Sequence, residues 1–476
     1  MTLRGEFRMA EREIVNGINA VTGRYLVTPA DRELPNLLQN APLDPARLRE
    51  LRWWTERYGI NDPDRAPIRD VDAGRLDSAG WAVVFGPDVT PEIEAALQPL
   101  LKRRQEQAGP LYKPFHFQPG QSKQDFLAAA HAGPGPADPK HVPYYVLLVG
   151  DPQKIPFRFQ YELDIQYAVG RLHFETTEGY ANYARGVVEA ETSPAARRPR
   201  EVAFFGVSNQ DDQATLRSAR DLVEPLSKAL EEDPKRKWPI HRVMRDEAVK
   251  ARLGRLLGGE ETPALLFTAT HGVAFPAGDP LQLAGQGALL CQDWPGPEKW
   301  KEAIPANQYF SAADVPDDAD VRGLVAFFFA CYGAGTPDIS DFYDPTQDQP
   351  EQIAPKPFVS RLSQRLLGHP RGGALAVLGH IDRAWTTSFS WSDQAQTQVF
   401  EDTLKILLDG MPVGAATEVI NQRCAELSVE ANGLWGDWRN SFSFNPDLLA
   451  RVWKASNDAR NFVVIGDPAV RLAPKE

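Results

Sequence analysis

Six short stretches of this chain are apolar almost from end to end: "WAVVF" (81–85), "YYVLLV" (144–149), "VAFFG" (202–206), "LVAFFFA" (324–330), "ALAVLG" (374–379) and "FVVIG" (462–466). A strand with one face in water alternates apolar and polar residues, so strands with no polar positions belong to a sheet covered on both faces. Helical spacing lies between them. After Thr90, a good N-cap, and Pro91 at the first helical position, Ile93, Ala96, Leu97, Leu100 and Leu101 share one helical face. Strand and helix in alternation give an α/β fold, a largely parallel sheet with helices on its faces.

The alternation breaks at "TSPAARRPR" (192–200), where prolines and arginines occur with no acid. This linker predicts two mostly parallel sheet subdomains with flanking helices: an α/β subdomain at 76–191 and a second one at 201–476. "VLLVGDP" in the first is echoed by "FVVIGDP" in the second. Residues 1–75, rich in Arg, Asp and Pro with weak periodicity, read as an accessory or pro-segment.

A net charge of −12 speaks against nucleic acid as a partner, because that binding needs lysine and arginine to displace counterions. No stretch approaches the ~18 apolar residues of a membrane span, and the N-terminus has no apolar signal-peptide core. The three cysteines, Cys291, Cys331 and Cys424, form no CxxC pair, which indicates neither a disulfide framework nor a zinc site. A chain in the reducing cytoplasm, with no metal, no cofactor and no membrane association, is the expectation.

In a parallel sheet, reactive residues gather where strands end at their carboxyl edge. "ALLFTATHG" ends on His271 and Gly272, and "GLVAFFFACYG" delivers Cys331 just past its apolar run. A lone cysteine after an apolar strand is usually a small buried hydrophobe, the reading kept for Cys291 and Cys424. Cys331 stands apart because a strand-end histidine can supply the base that a thiol nucleophile needs. The N–H groups of Gly272 and Cys331 could then point at the oxyanion of a tetrahedral intermediate.

At these residues the sequence resembles a family. Caspases carry a histidine–glycine followed about fifty residues later by Ala-Cys-x-Gly, matched here by Ala330-Cys331-Tyr332-Gly333, with Phe329 in place of the preceding glutamine. The chain is still more similar to gingipain-type cysteine peptidases and the related bacterial CHAT (caspase-like) proteins. "YVLLVGDPQKIP" (145–156), Val169-Gly170-Arg171, the histidine of "THG" and "IGDP" (465–468) occur in the family's order over roughly residues 78–475. The resemblance implies the caspase-hemoglobinase fold and a His271–Cys331 dyad in a cysteine endopeptidase that cuts proteins after Arg or Lys. It implies an S1 pocket with a carboxylate from Asp164 (preferred) or Glu162, or from Asp382 after the next strand, with Trp385 beside it. One of these acids is the alternative partner that would orient His271. The resemblance further implies a zymogen regulated by processing, by an upstream protease or by a regulatory protein, with a role in bacterial antiviral defence or cell death. The competing reading is a caspase-like scaffold or regulatory partner, inactive until another protein or ligand binds.

Overall fold

The computed structural model describes residues 16–26, 67–342, 351–391, 394–439 and 445–472. A short strand, β1 (Gly17–Asn19), comes first. The first half of the main sheet follows as β2 (Trp81–Phe85), β3 (Tyr112–His116), β4 (Tyr145–Val149) and β5 (Ala168–Leu172). The second half begins with β6 (Val202–Gly206), β7 (Ile240–Met244) and β8 (Leu265–Ala269). Three short strands, β9 (Gly272–Ala274), β10 (Leu289–Leu290) and β11 (Tyr309–Phe310), join β1 in a small sheet of order β1-β9-β10-β11. The main sheet resumes with β12 (Val325–Phe329). The ribbon β13 (Gly335–Thr336) with β14 (Phe358–Val359), then β15 (Ala376–His380), the ribbon β16 (Ser390–Trp391) with β17 (Gln394–Ala395), and finally β18 (Phe462–Gly466) complete the strands.

The two halves make one ten-stranded sheet of order β3-β2-β4-β5-β18-β15-β12-β8-β6-β7. Every pair is parallel except β15 with β18. The strand expected to close the second unit therefore pairs with both, and the halves run in opposite directions on either side of the β15–β18 junction. β2, β4, β5, β6, β8, β12, β15 and β18 are buried at every position, as a sheet covered on both faces requires.

The seam between β5 and β18 explains two of the motifs. A Cβ on Gly170 would stand 2.2 Å from the Gly466 carbonyl oxygen, so the "VGR" strand can approach the "IGDP" turn only with glycine there. Asp467, in the "IGDP" turn, does more than shape the turn. Its buried carboxylate accepts from Trp81 Nε1 at 2.9 Å and Arg104 Nε at 2.6 Å, and Arg104 reaches on to Glu191 at 2.7 Å. A charged pair this deep persists because the guanidinium faces two carboxylates and the Asp467 carboxylate is hydrogen-bonded on both oxygens.

β5 starts at Ala168, because Phe157–Leu163 is a helix that ends on Asp164. Two helices, Val413–Ala416 and Glu418–Arg439, precede β18, and a further helix, Pro446–Arg460, packs against the second of them.

Candidate active site

β8 and β12 are parallel neighbours in a register that sets Ala269 opposite Phe329. Two residues beyond each lie His271 and Cys331, level with one another at the carboxyl edge. Their backbones touch there. A Cβ on Gly272 would come within 1.8 Å of the Cys331 carbonyl oxygen, so only glycine fits after the histidine. Just past Cys331 the chain turns sharply through Tyr332, a buried non-glycine residue at φ 60° whose N–H is held by the Asp382 carbonyl at 3.0 Å. Such a left-handed residue costs about 1 kcal/mol or more and persists where surrounding contacts impose it.

The third participant comes from β6, the other neighbour of β8. The loop after β6 carries Asp212, fully buried, as the N-cap of the helix Gln213–Arg217. Its Oδ2 lies 2.7 Å from His271 Nε2 and accepts from Thr215 Oγ1 at 2.6 Å, while Oδ1 accepts from the Ala214 N–H and from the Tyr25 hydroxyl. Burial alone would raise this carboxyl's pKa. The facing His271 and the hydrogen bonds from His271, Thr215 and Tyr25 outweigh it and hold Asp212 below its ordinary value. The His271 ring meets Tyr25 and Trp294 edge-on, at centroid distances of 5.8 and 5.9 Å. Its other nitrogen, Nδ1, is buried with no hydrogen-bond partner among the described residues. The acids considered from sequence for orienting this histidine did not include Asp212.

The site is not empty of peptide. Residues 16–26 enter it as a strand and a tight return: β1 lies parallel to β9 with Gly17 opposite Gly272, and the Leu26 N–H bonds back to the Gly17 carbonyl at 3.0 Å. One residue upstream, the Asn16 carbonyl oxygen accepts from both the Gly272 N–H (3.0 Å) and the Cys331 N–H (3.4 Å), while the Asn16 N–H donates to the Ala384 carbonyl at 2.9 Å. Gly17 lies against the thiol: a Cβ built on it would be 2.8 Å from Cys331 Sγ. Cys331 is fully buried in this arrangement and accepts from the Ala384 N–H at 3.2 Å. Burial pushes its thiol pKa well above the ordinary value, beyond what the Ala384 N–H and Arg383 offset. Rapid alkylation of this thiol, a natural expectation for a histidine-paired cysteine, is not what the closed site offers.

The residues expected in S1 are dispersed. Asp382 and Trp385 sit on the loop after β15, beside Ala384. The Asp382 carboxylate, fully buried, accepts from Ser340 Oγ and the Asp341 N–H at 2.9 Å each and from the Arg383 N–H at 2.8 Å, so it anchors the segment 340–342. Trp385 packs on Phe342 (5.3 Å between centroids) under Lys454 Nζ, and its N–H is held by Asp458. Asp164 is buried, caps the Val169 N–H at 3.0 Å and borders a small cavity with Leu378, Asn421 and Phe462. Glu162 pairs with Arg158 at 2.7 Å.

Burial raises the Asp382 pKa to about 6, against the lowering effects of Arg383 and the Asp341 and Ser340 hydrogen bonds. The fold thus favours the protonated form. Its contribution to stability is fully present below the unfolded value of about 3.9 and is lost as pH rises through about 6. Thermal unfolding at pH 5 and pH 7 should show a smaller pH effect in Asp382→Asn than in the parent chain; equal pH effects in both would remove Asp382 as the source.

The family pattern described as peptidase family C25 matches residues 124–473, a span that takes in His271, Cys331 and the β5–β18 seam. The chain belongs to peptidase family C25. It is a gingipain-type cysteine peptidase by family, with the caspase-like α/β fold. A solved structure described as "Structure of Protease" is similar at 12% identity and a TM-score of 0.50, covering 84% of this chain and 80% of its own. The Arg specific cysteine proteinase gingipain R aligns at 13% identity and a TM-score of 0.46, over 86% of this chain and 80% of its own. A complex of pro- and mature domains of RgpB from Porphyromonas gingivalis aligns at 13% identity and 0.45, over 83% of this C25 chain and 80% of its own. No curated protein sequence matches the chain.

Proposed function

We propose that this C25 chain is a cysteine endopeptidase in which Cys331 attacks the substrate carbonyl, His271 moves the proton and Asp212 orients His271. The observation that carries the reading is the Asn16 carbonyl, held by the Gly272 and Cys331 N–H groups next to the Cys331 thiol. Two convergent amides at a nucleophile are what an acyl-transfer site needs, each worth about 3–4 kcal/mol to the developing oxyanion. With Nε2 engaged by Asp212, the unpartnered Nδ1 of His271 is the nitrogen available to the thiol and later to the leaving amine. A peptide also has its place: Ala384 receives the N–H on one side of the reacting carbonyl and β9 pairs with the chain on the other.

A preference for Arg or Lys rests on Asp382, Asp164 or Glu162 exchanging its present partners for a substrate cation. The scaffold reading has one observation in its favour, the occupied cleft, which describes a latent enzyme equally well. Release of that segment, by the chain itself or by another protease, is then the regulatory step. An electrophilic peptidyl ketone should form a single covalent adduct, on Cys331, mapped by mass spectrometry. Adducts confined to Cys291 or Cys424, both buried, would sink the assignment.

A further inference from the structure

We propose that the Asn16–Gly17 peptide bond is this chain's own cleavage site, and that S1 accepts an uncharged amide side chain, that of asparagine. The inference rests on the peptidase reading above and adds the substrate to it. Asn16 occupies the position of the residue whose carbonyl is attacked, since its oxygen sits on the Gly272 and Cys331 amides and its N–H on Ala384. Gly17 then supplies the leaving nitrogen.

Three further observations fit a substrate rather than a structural strap. The Asn16 side chain is fully buried, yet neither Oδ1 nor Nδ2 has a hydrogen-bond partner among the described residues. A buried, unsatisfied amide costs about 1–3 kcal/mol, which a purely structural position would avoid with an apolar residue. Gly17 packs closely on its surroundings: a Cβ would lie 2.5 Å from Leu26 Cδ1 and 2.8 Å from Cys331 Sγ, so a larger residue there would displace the Leu26 side chain or the thiol. The segment is also held on both sides of the bond, upstream by Ala384 and downstream by the β1–β9 ladder and the Ala20 N–H on the Ala274 carbonyl at 2.7 Å. Such fixation turns an encounter into an intramolecular reaction. The occupant is uncharged, and the nearby Asp382 carboxylate is already satisfied by its own loop.

The chemistry balances with water as the co-reactant. The Cys331 sulfur, giving its proton to His271, bonds to the Asn16 carbonyl carbon. The C–N bond to Gly17 breaks, and the proton passes to the Gly17 nitrogen as the new amine. Water, deprotonated by His271, then hydrolyses the thioester, which leaves a carboxylate on Asn16 and restores the thiol. Residues 1–16 become free to leave, and S1 is vacated.

Purified full-length chain is incubated, followed by intact mass and N-terminal mapping, and given fluorogenic peptides with Asn or Arg before the reporter. The expected result is a chain beginning at Gly17, hydrolysis after Asn, no trimming in Cys331→Ala, and trimming slowed about 10- to 100-fold in Asn16→Gln, which adds one methylene to an enclosed side chain. Faster trimming in Asn16→Arg, or a break at this bond that persists in Cys331→Ala, overturns the proposal. An intact chain that hydrolyses only the Arg peptide overturns it while the peptidase reading stands; an intact chain inert toward every peptide overturns both.

Discussion

Replacing Cys331 by alanine should reduce peptide hydrolysis by about a millionfold, the scale on which a covalent nucleophile is lost from a triad-type site. The oxyanion donors remain in such a variant, because they are backbone N–H groups of Gly272 and of residue 331 itself, so a small residual rate over solution is expected. The fold should persist. Among the described residues Sγ accepts the Ala384 N–H at 3.2 Å, and the β12 residues behind it keep their partners in β8 and β15. The measurement is kcat on a peptide substrate together with a melting temperature: retained activity in a folded Cys331→Ala chain would move the nucleophile elsewhere. Cys291 and Cys424, one beneath the small sheet and one between the last two helices, should be replaceable by alanine without loss of rate.

The second large effect is expected from Asp212→Asn, a loss of about 10⁴-fold in kcat with KM little changed. Asp212 meets the segment in the cleft through the Tyr25 hydroxyl, away from the Asn16–Gly17 bond, and in the proposed mechanism acts on the reacting atoms by positioning His271. Its carboxylate accepts the proton on His271 Nε2, which leaves Nδ1 as the base. An amide in its place can present its NH₂ to Nε2. The ring would then carry its proton on Nδ1 and could no longer take one from the thiol. Asp212→Ala additionally removes the helix cap to Ala214 and the bonds from Thr215 and Tyr25, so it should also lower stability by about 1 kcal/mol or more. The split between the variants is the informative part. If Asn and Ala lowered kcat only in proportion to lost folded protein, Asp212 would be a structural cap alone.

The contrast between His271 and Asp212 shows why sequence revealed one and not the other. His271 and Cys331 follow long apolar strands, and a residue at the end of a buried strand has one place to be, the edge of the sheet. Asp212 lies in "NQDDQAT", where two adjacent acids precede a helix and an N-cap reading satisfies the local pattern completely. Its role depends on β6 lying beside β8, a pairing that no local periodicity encodes. Asp164, Asp382 and Glu162 were prominent in sequence because they sit near family motifs; the fold gives each a partner within its own surroundings. Asn16 was the least visible, since residues 1–75 lack periodicity and β1 has only three residues, too few to register as a strand. The two-unit pattern was legible from the strands and the linker, but the continuity of the sheet was not. β18 reads like any other apolar strand, and its neighbours β5 and β15 are far away along the chain.

That placement of β18 has a consequence for the timing of the enzyme's birth. The strand at the middle of the sheet follows all nine others in chain order, so a ribosome has made both halves before the piece that joins them exists. Until then β5 and β15 each present an open edge, the kind that pairs with whatever strand is near. β15 also leads into the loop whose Ala384 grips the Asn16 N–H. A nascent chain therefore carries its thiol and its histidine for a long stretch of synthesis without a braced cleft to use them in. Proteolytic competence arrives only once β18 has been made, when the segment that fills the cleft has long been waiting.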